Sequence, residues 1–137
     1  MDLGTLLSHI RKGDVDIVKK ILRESKSINI NEFDSDDFNP LHCACYHGQK
    51  EIVKLLLEDQ RVDVNIFDSC NFTALYFACQ ENHIEVVKLL LEDPKINVKL
   101  ATRDGITPYM ISCWYSRYQI VSEFLRLKRQ VLSSREV

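Results

Sequence analysis

Apolar residues at three- and four-residue spacing recur in nearly identical form along the chain. The segment EIVKLLLED at 51–59 returns as EVVKLLLED at 85–93, an offset of 34 residues. Each copy places its apolar side chains on one face of a helix, which predicts helices over 50–58 and 84–92. Within them we expect Leu56, Leu57, Leu90 and Leu91 at the centre of the core.

Turn-forming residues and short helices repeat at the same period. Asp37, Asn71 and Gly105 share one register in a polar cluster, and all three residue types tolerate left-handed turn geometry. A short helix is predicted after each cluster, and Pro40 and Pro108 suit its first position. Self-similarity at this period predicts a stack of units in which each buries its apolar face on its neighbour.

The motifs inside each unit resemble the ankyrin repeat. The segments 39–44 (NPLHCA) and 107–109 (TPY) are similar to the family's Thr-Pro-Leu-His-x-Ala signature. Tetratricopeptide repeats also fit a period of 34, but their two long helices leave too little room for the turn-rich segment here. The resemblance implies an all-α ankyrin-repeat solenoid of four helix-turn-helix units, two internal and two capping, with short hairpin-like turns.

The 137 residues are expected to form one domain. We predict a single ankyrin-repeat domain at 1–130 and a C-terminal tail at 131–137. The repeats are expected at about 3–31, 37–69, 71–103 and 105–130. The first unit lacks the opening turn and the last runs into polar residues, and such atypical end units are typical of caps that shield a stack from water.

Charge and hydropathy favour a soluble binding protein inside the cell. The net charge of −2 argues against a general nucleic-acid binder. We also find no apolar run long enough to span a bilayer and no secretory signal at the N-terminus. We therefore expect a cytoplasmic protein, although a nuclear location stays open. We expect it to be a monomer that binds no nucleic acid, membrane or cofactor.

Five cysteines raise the question of disulfides or zinc. Cys45, Cys79 and Cys113 occupy one register in three successive units. Neighbouring packed helices lie ~8–10 Å apart, whereas disulfide-linked Cα atoms rarely exceed ~7 Å and zinc ligands must lie within ~2.3 Å of one ion. We therefore predict reduced thiols that pack as small buried side chains.

Catalytic motifs are missing from the sequence: it contains no glycine-rich phosphate loop, no His-Glu-x-x-His and no Gly-x-Ser-x-Gly. The resemblance implies that His42 hydrogen-bonds turn backbone between units, and His83 is expected to be a solvated surface residue. The acidic residues at 34–37 are spaced faintly like a calcium loop, yet they lack its downstream Gly and Glu. We predict that the protein is not an enzyme and binds no metal.

The resemblance implies a partner-binding groove on the concave side of the stack, formed by turn tips and the outer positions of first helices. Seven of the chain's twelve aromatic residues fall on these positions, and aromatic rings often anchor binding. The predicted partner-binding residues are Phe33, Asp36, Phe38, Tyr46, His47, Phe67, Cys70, Phe72, Gln80, Glu81, Arg103, Ile106, Trp114 and Tyr115.

Two readings of these aromatic residues follow. In the binding interpretation, replacing Phe72 and Trp114 by serine abolishes partner capture and leaves the melting temperature nearly unchanged. In the alternative, Phe33 and Phe67 stack on each other, and Trp114 and Tyr115 fold back under the final helix. A large loss of stability in the variants would favour the second reading.

The sequence predicts a non-catalytic protein–protein interaction module of unknown partner. Two alternatives are a targeting domain of a larger enzyme or channel and a self-associating structural unit. A further alternative is a substrate role, because Leu57 followed by Asn65 resembles the motif that asparaginyl hydroxylases modify in ankyrin proteins; whether Asn31 or Asn65 is hydroxylated stays open.

Overall fold

The structure is a computed structural model that describes residues 2–136, and for residues 130–136 it describes the backbone only. Eight helices lie in the described residues: α1 Leu3–Lys12, α2 Val15–Glu24, α3 Pro40–Tyr46, α4 Lys50–Glu58, α5 Ala74–Gln80, α6 Ile84–Glu92, α7 Pro108–Trp114 and α8 Tyr118–Glu136. They form four helix pairs in chain order, which confirms the predicted all-α stack. The side chains of the predicted tail at 131–137 lie outside the described ones, so the domain boundary at 130 and the repeat bounds stay predictions.

The helices are arranged in two layers. The odd-numbered helices pack successively as α1 on α3, α3 on α5 and α5 on α7, and the even-numbered helices pack in the same order. Leu56, Leu90 and Ala44 lie fully buried between the layers, as expected. Leu57 is only partly buried, because it lies at the edge of α4, so its predicted central place in the core is wrong.

Side-chain caps start the first helix of each unit. Asn39 Oδ1 accepts a hydrogen bond from the His42 amide at 2.7 Å, and Thr73 and Thr107 cap α5 and α7 in the same way. Each cap occupies a backbone N–H that the helix leaves without a partner. Pro40, as predicted, occupies the first turn of α3.

A tight turn precedes each of these helices. The amide of Asp34 donates to the Phe38 carbonyl at 2.9 Å, and Asp68 and Thr102 repeat that bond in the next two units. The turn requires a left-handed residue, and Asp37, Asn71 and Gly105 have φ values of 65°, 64° and 79°. The prediction of one shared turn register is confirmed.

Asparagine side chains connect successive units through the segments that follow the second helices. Asn31 donates to the Arg61 carbonyl at 2.9 Å and accepts from the Asp63 amide at 2.9 Å. Asn65 makes the same pair of bonds to Lys95 and Asn97 one unit later. These amides therefore have a structural role in holding neighbouring units in register.

Candidate functional site

The turn tips and the outward face of the odd-numbered helices form one surface, here called the inner surface. It contains all fourteen predicted binding residues, and none of them is fully buried. Seven are exposed: Asp36, His47, Phe67, Cys70, Arg103, Trp114 and Tyr115. Seven are partly buried: Phe33, Phe38, Tyr46, Phe72, Gln80, Glu81 and Ile106. The binding role of each residue stays a prediction.

Four of the predicted binding rings belong to a packed aromatic cluster. The ring of Phe77, buried on α5, lies 5.7 Å from Phe38, 5.8 Å from Tyr46 and 5.6 Å from Phe72 between centroids. The Phe33 ring lies edge-on to His42 at 5.3 Å. These four rings are therefore only partly exposed, because Phe77 fills the space between units and gives them a core to pack on.

Phe72 is the clearest case. Its ring stacks on Tyr76 at 4.8 Å with an interplanar angle of 7°, and it also touches the hydrophobic core. A serine at this position would remove that stacking and expose the edge of Tyr76. The contacts of Phe72 therefore favour the interpretation in which this ring is part of the core.

The exposed apolar side chains concentrate in the fourth unit. Trp114 is 80% exposed and Tyr118 is 76% exposed, and Met110 and Tyr115 lie beside them in sequence with exposed side chains. Trp114 does not fold back under the last helix. A group of exposed apolar side chains often marks an interaction site, whereas a single exposed one is common. Phe67, 55% exposed at the second turn tip, extends the inner surface toward the middle of the stack.

Sequence reasoning missed Met110 and Tyr118. Met110 is in the register of His42 and Tyr76, which are both buried. No described unit follows the fourth one, so this position loses its cover there. The repeat register itself carried the signal, since the last described unit lacks the contacts that earlier units make to the unit after them.

Sequence reasoning also missed a repeated hydrogen bond between successive units. In it, a side chain that precedes an even-numbered helix bonds to a carbonyl at the end of the odd-numbered helix of the unit before. His83 Nε2 bonds to the Tyr46 carbonyl at 2.9 Å, and Arg117 bonds to the equivalent carbonyl of Gln80 at 2.7 Å. The guanidinium of Arg117 also lies 5.4 Å from the centre of the Tyr115 ring. The expectation that His83 is a solvated residue is wrong, because its ring is partly buried and hydrogen-bonded to the preceding unit.

His42 has the structural role that the resemblance implied. It is fully buried, and its Nε2 bonds to the Ile66 carbonyl at 3.0 Å, which ties α3 to the turn of the next unit. Burial is the main cause that lowers the pKa of His42 below its ordinary value of 6.5. The ring is therefore neutral in the folded protein at neutral pH.

The lowered pKa of His42 makes stability depend on pH. Below about pH 6.5 the His42 ring is protonated in the unfolded chain but stays neutral in the folded one. The free energy of unfolding therefore falls by up to about 1.4 kcal/mol for each unit that the pH is lowered. His42→Gln keeps an N–H donor but does not titrate, so its unfolding free energy should decrease less between about pH 7.5 and pH 5.5. Urea titrations of both proteins measure the two slopes, and equal slopes would show that His42 is not the group responsible.

The thiols divide into buried and exposed sets. Cys43, Cys45 and Cys79 are buried, and Cys70 and Cys113 are exposed. The burial of Cys45 and Cys79 confirms the prediction for these two residues. Burial raises the pKa of Cys43 to about 11 and that of Cys79 to about 12, so both thiols stay protonated and unreactive. The expected burial of Cys113 is wrong, because none of the described residues covers it as the next unit covers Cys45 and Cys79.

Acidic side chains at the turn tips are used in local structure. Asp34 Oδ1 accepts from the amides of Asp36 and Phe38 at 2.9 and 3.1 Å, and its other oxygen pairs with Arg11 at 3.2 Å. The Asp37 carboxylate is bonded to the Ser69 hydroxyl of the next tip. Among the residues that the structure describes, no cluster of histidine, cysteine and acidic side chains has the arrangement of a metal site.

Comparison with protein-family models decides the family. The model described as ankyrin repeats (3 copies) matches residues 4–68 and 60–133. The chain belongs to the ankyrin-repeat family. Ankyrin repeats are generally protein–protein interaction modules. A comparison with curated proteins gave no significant match, and within residues 2–136 no helix is long and apolar enough to cross a membrane.

Proposed function

We propose that this ankyrin-repeat protein is a non-catalytic interaction module that binds a protein partner through its inner surface. The observation that carries the proposal is the 80% exposure of Trp114, next to Tyr115 and Tyr118. Tryptophan and tyrosine supply a large share of binding energy when a partner covers them. An isolated ring exposed to water gains nothing in the free protein, so its position favours a role in binding.

The inner surface also carries charged side chains in the second, third and fourth units. Asp36 and Arg103 are exposed at turn tips, and Glu81 lies partly exposed at the end of α5. Partial burial, with Arg11 and His83 nearby, lowers the pKa of His47, so this exposed residue offers a neutral imidazole at neutral pH. We infer that the aromatic residues of the fourth unit supply affinity and the polar tips supply specificity.

Site-specific photocrosslinking tests the proposal. A photoreactive phenylalanine derivative would replace Phe67 or Trp114, one at a time, in the cells that make the protein. We expect both positions to crosslink to the same partner, since both rings are exposed on the inner surface. Lys54, exposed on α4 in the outer layer, is the control position and should give no such product.

The same experiment separates the proposal from self-association. A product with twice the mass of this chain would identify a second copy as the occupant of the inner surface. Equal crosslinking from position 54, or different partners at 67 and 114, would contradict a single binding surface.

A further inference from the structure

The C-terminal end of the stack exposes positions that are buried or partly buried in the preceding units. Leu41 and Leu75 are buried, but Tyr109 at the same register is 36% exposed. At the register of Leu125, which is 41% exposed, Leu91 is buried and Leu57 is partly buried. In the second and third units the helices of the next unit pack on this side and cover these positions fully or in part. The last described unit therefore ends in an apolar face rather than in a polar cap.

Apolar residues of α7, α8 and the segment before α7 surround an open groove on this face. The groove has a volume of about 340 Å³, and its apolar lining is Val98, Tyr109, Phe124 and Leu125. The Tyr109 ring lies edge-on to Phe124 at 5.7 Å between centroids, so the two form one side of it. A space of this size accommodates one or two apolar side chains of another polypeptide.

Cys113 lies beside the groove. It is exposed one helical turn after Tyr109 on α7, and the equivalent Cys79 is buried in the preceding unit. We call Tyr109, Cys113, Phe124 and Leu125 the end face.

Lysine side chains border the groove. Lys99 and Lys128 both line it, and both are exposed. Among the described side chains, neither ammonium group is within ion-pair distance of a carboxylate. The border of the end face is therefore positively charged and complementary to an acidic partner.

The N-terminal end of a second copy does not fit the end face. Ala44, Ala78 and Ser112 share the register through which each unit packs on the one before it, and all three are small and fully buried. The first unit has His9 there, with its Nδ1 held 2.9 Å from Asp14 Oδ2. Its bulk and polarity oppose head-to-tail stacking. Two end faces pressed together would oppose lysines to lysines, which is also unfavourable.

We propose that the end face binds an acidic amphipathic helix of a partner protein. The helix would place apolar side chains in the groove and acidic side chains near Lys99 and Lys128. A helix fits because helices cover the equivalent face of the second and third units. This site is separate from the inner surface, so it can be tested whether or not the inner surface binds a partner.

Thiol footprinting of the full chain provides the test. Cys113 belongs to the end face, and Cys70 lies at a turn tip as an internal control; both are exposed. The probes are two synthetic amphipathic peptides with the same leucines at i and i+4, one flanked by glutamates and one by lysines. At about 80% occupancy the acidic peptide should slow alkylation of Cys113 about fivefold, because only the free fraction reacts, and leave Cys70 unchanged.

Charge reversal supplies the matched variants. Lys99→Glu with Lys128→Glu should weaken the acidic peptide about tenfold at low salt, whereas Lys20→Glu with Lys54→Glu, the same change at exposed outer positions, should have little effect. Circular dichroism confirms that all variants are folded. The proposal is overturned if neither peptide protects Cys113, if both protect it equally, or if raising the protein concentration alone protects it through a second copy.

Discussion

Replacing Phe77 by alanine is expected to lower the free energy of unfolding by about 3–5 kcal/mol, the range for a large buried ring. The Phe77 ring lies 5.4 Å from His42 and 5.6 Å from Phe72 between centroids. Its removal leaves a cavity between the second and third units and withdraws support from His42, which bonds to the next turn. Equilibrium urea unfolding followed by circular dichroism measures the loss.

Phe67→Ala is the matched control for this substitution. Phe67 is the same residue type, but it is 55% exposed at a turn tip, so its replacement should change the unfolding free energy by less than about 0.5 kcal/mol. Similar losses in both variants would mean that the aromatic cluster around Phe77 does not stabilise the stack.

Leu90→Ala should cost about 2–5 kcal/mol, because Leu90 is fully buried on α6. The helix α6 packs against both α4 and α8, and units of a solenoid contact only their neighbours. The substitution therefore weakens the connection between the fourth unit and the rest of the stack. Hydrogen exchange should show that the amides of α7 lose protection before those of α1.

The control for Leu90 is Leu125→Ala. Leu125 is 41% exposed, so the same truncation should leave stability within about 1 kcal/mol of the unchanged protein. If Leu90→Ala instead lowered protection uniformly from α1 to α8, the stack would unfold as one cooperative unit and the expected local effect would be refuted.

The repeat register predicted the scaffold well, because a repeated pattern reports the contacts that every unit shares. The burial of Leu56 and Leu90 and the turn at Asp37 follow from such shared contacts and are confirmed in the structure. The inter-unit bond of His42 is what the ankyrin resemblance implies, because later units have Tyr76 and Met110 at that register, and it is confirmed as well.

Predictions made from the same register were wrong where the units differ in sequence. It treated Phe38 and Phe72 as exposed tip residues, because it took no account of the bulky ring of Phe77 at a position held by Cys43 one unit earlier. It also treated His83 as solvated, since the carbonyl that it bonds belongs to Tyr46, 37 residues away in sequence. Contacts of this kind depend on which side chain faces which, and spacing alone does not report them.

The C-terminal end of the stack shows a further case in which the repeat register did not predict burial. Cys113 shares the register of Cys45 and Cys79, and a pattern argument assigns all three to the core. Only the absence of a further described unit after α8 exposes it. The candidate surface is therefore defined by differences between units, and it is clearest at Trp114.

The central claim is that the inner surface binds through exposed Trp114, and one comparison of affinities tests it directly. The partner would be the protein recovered by crosslinking from position 67, and its dissociation constant would be measured for Trp114→Ala and for Ile17→Ala, an exposed apolar residue on α2. We predict a loss of about thirtyfold or more for Trp114→Ala with an unchanged melting temperature, and no loss for Ile17→Ala. Unchanged affinity in Trp114→Ala, or equal losses in both variants, would contradict the claim.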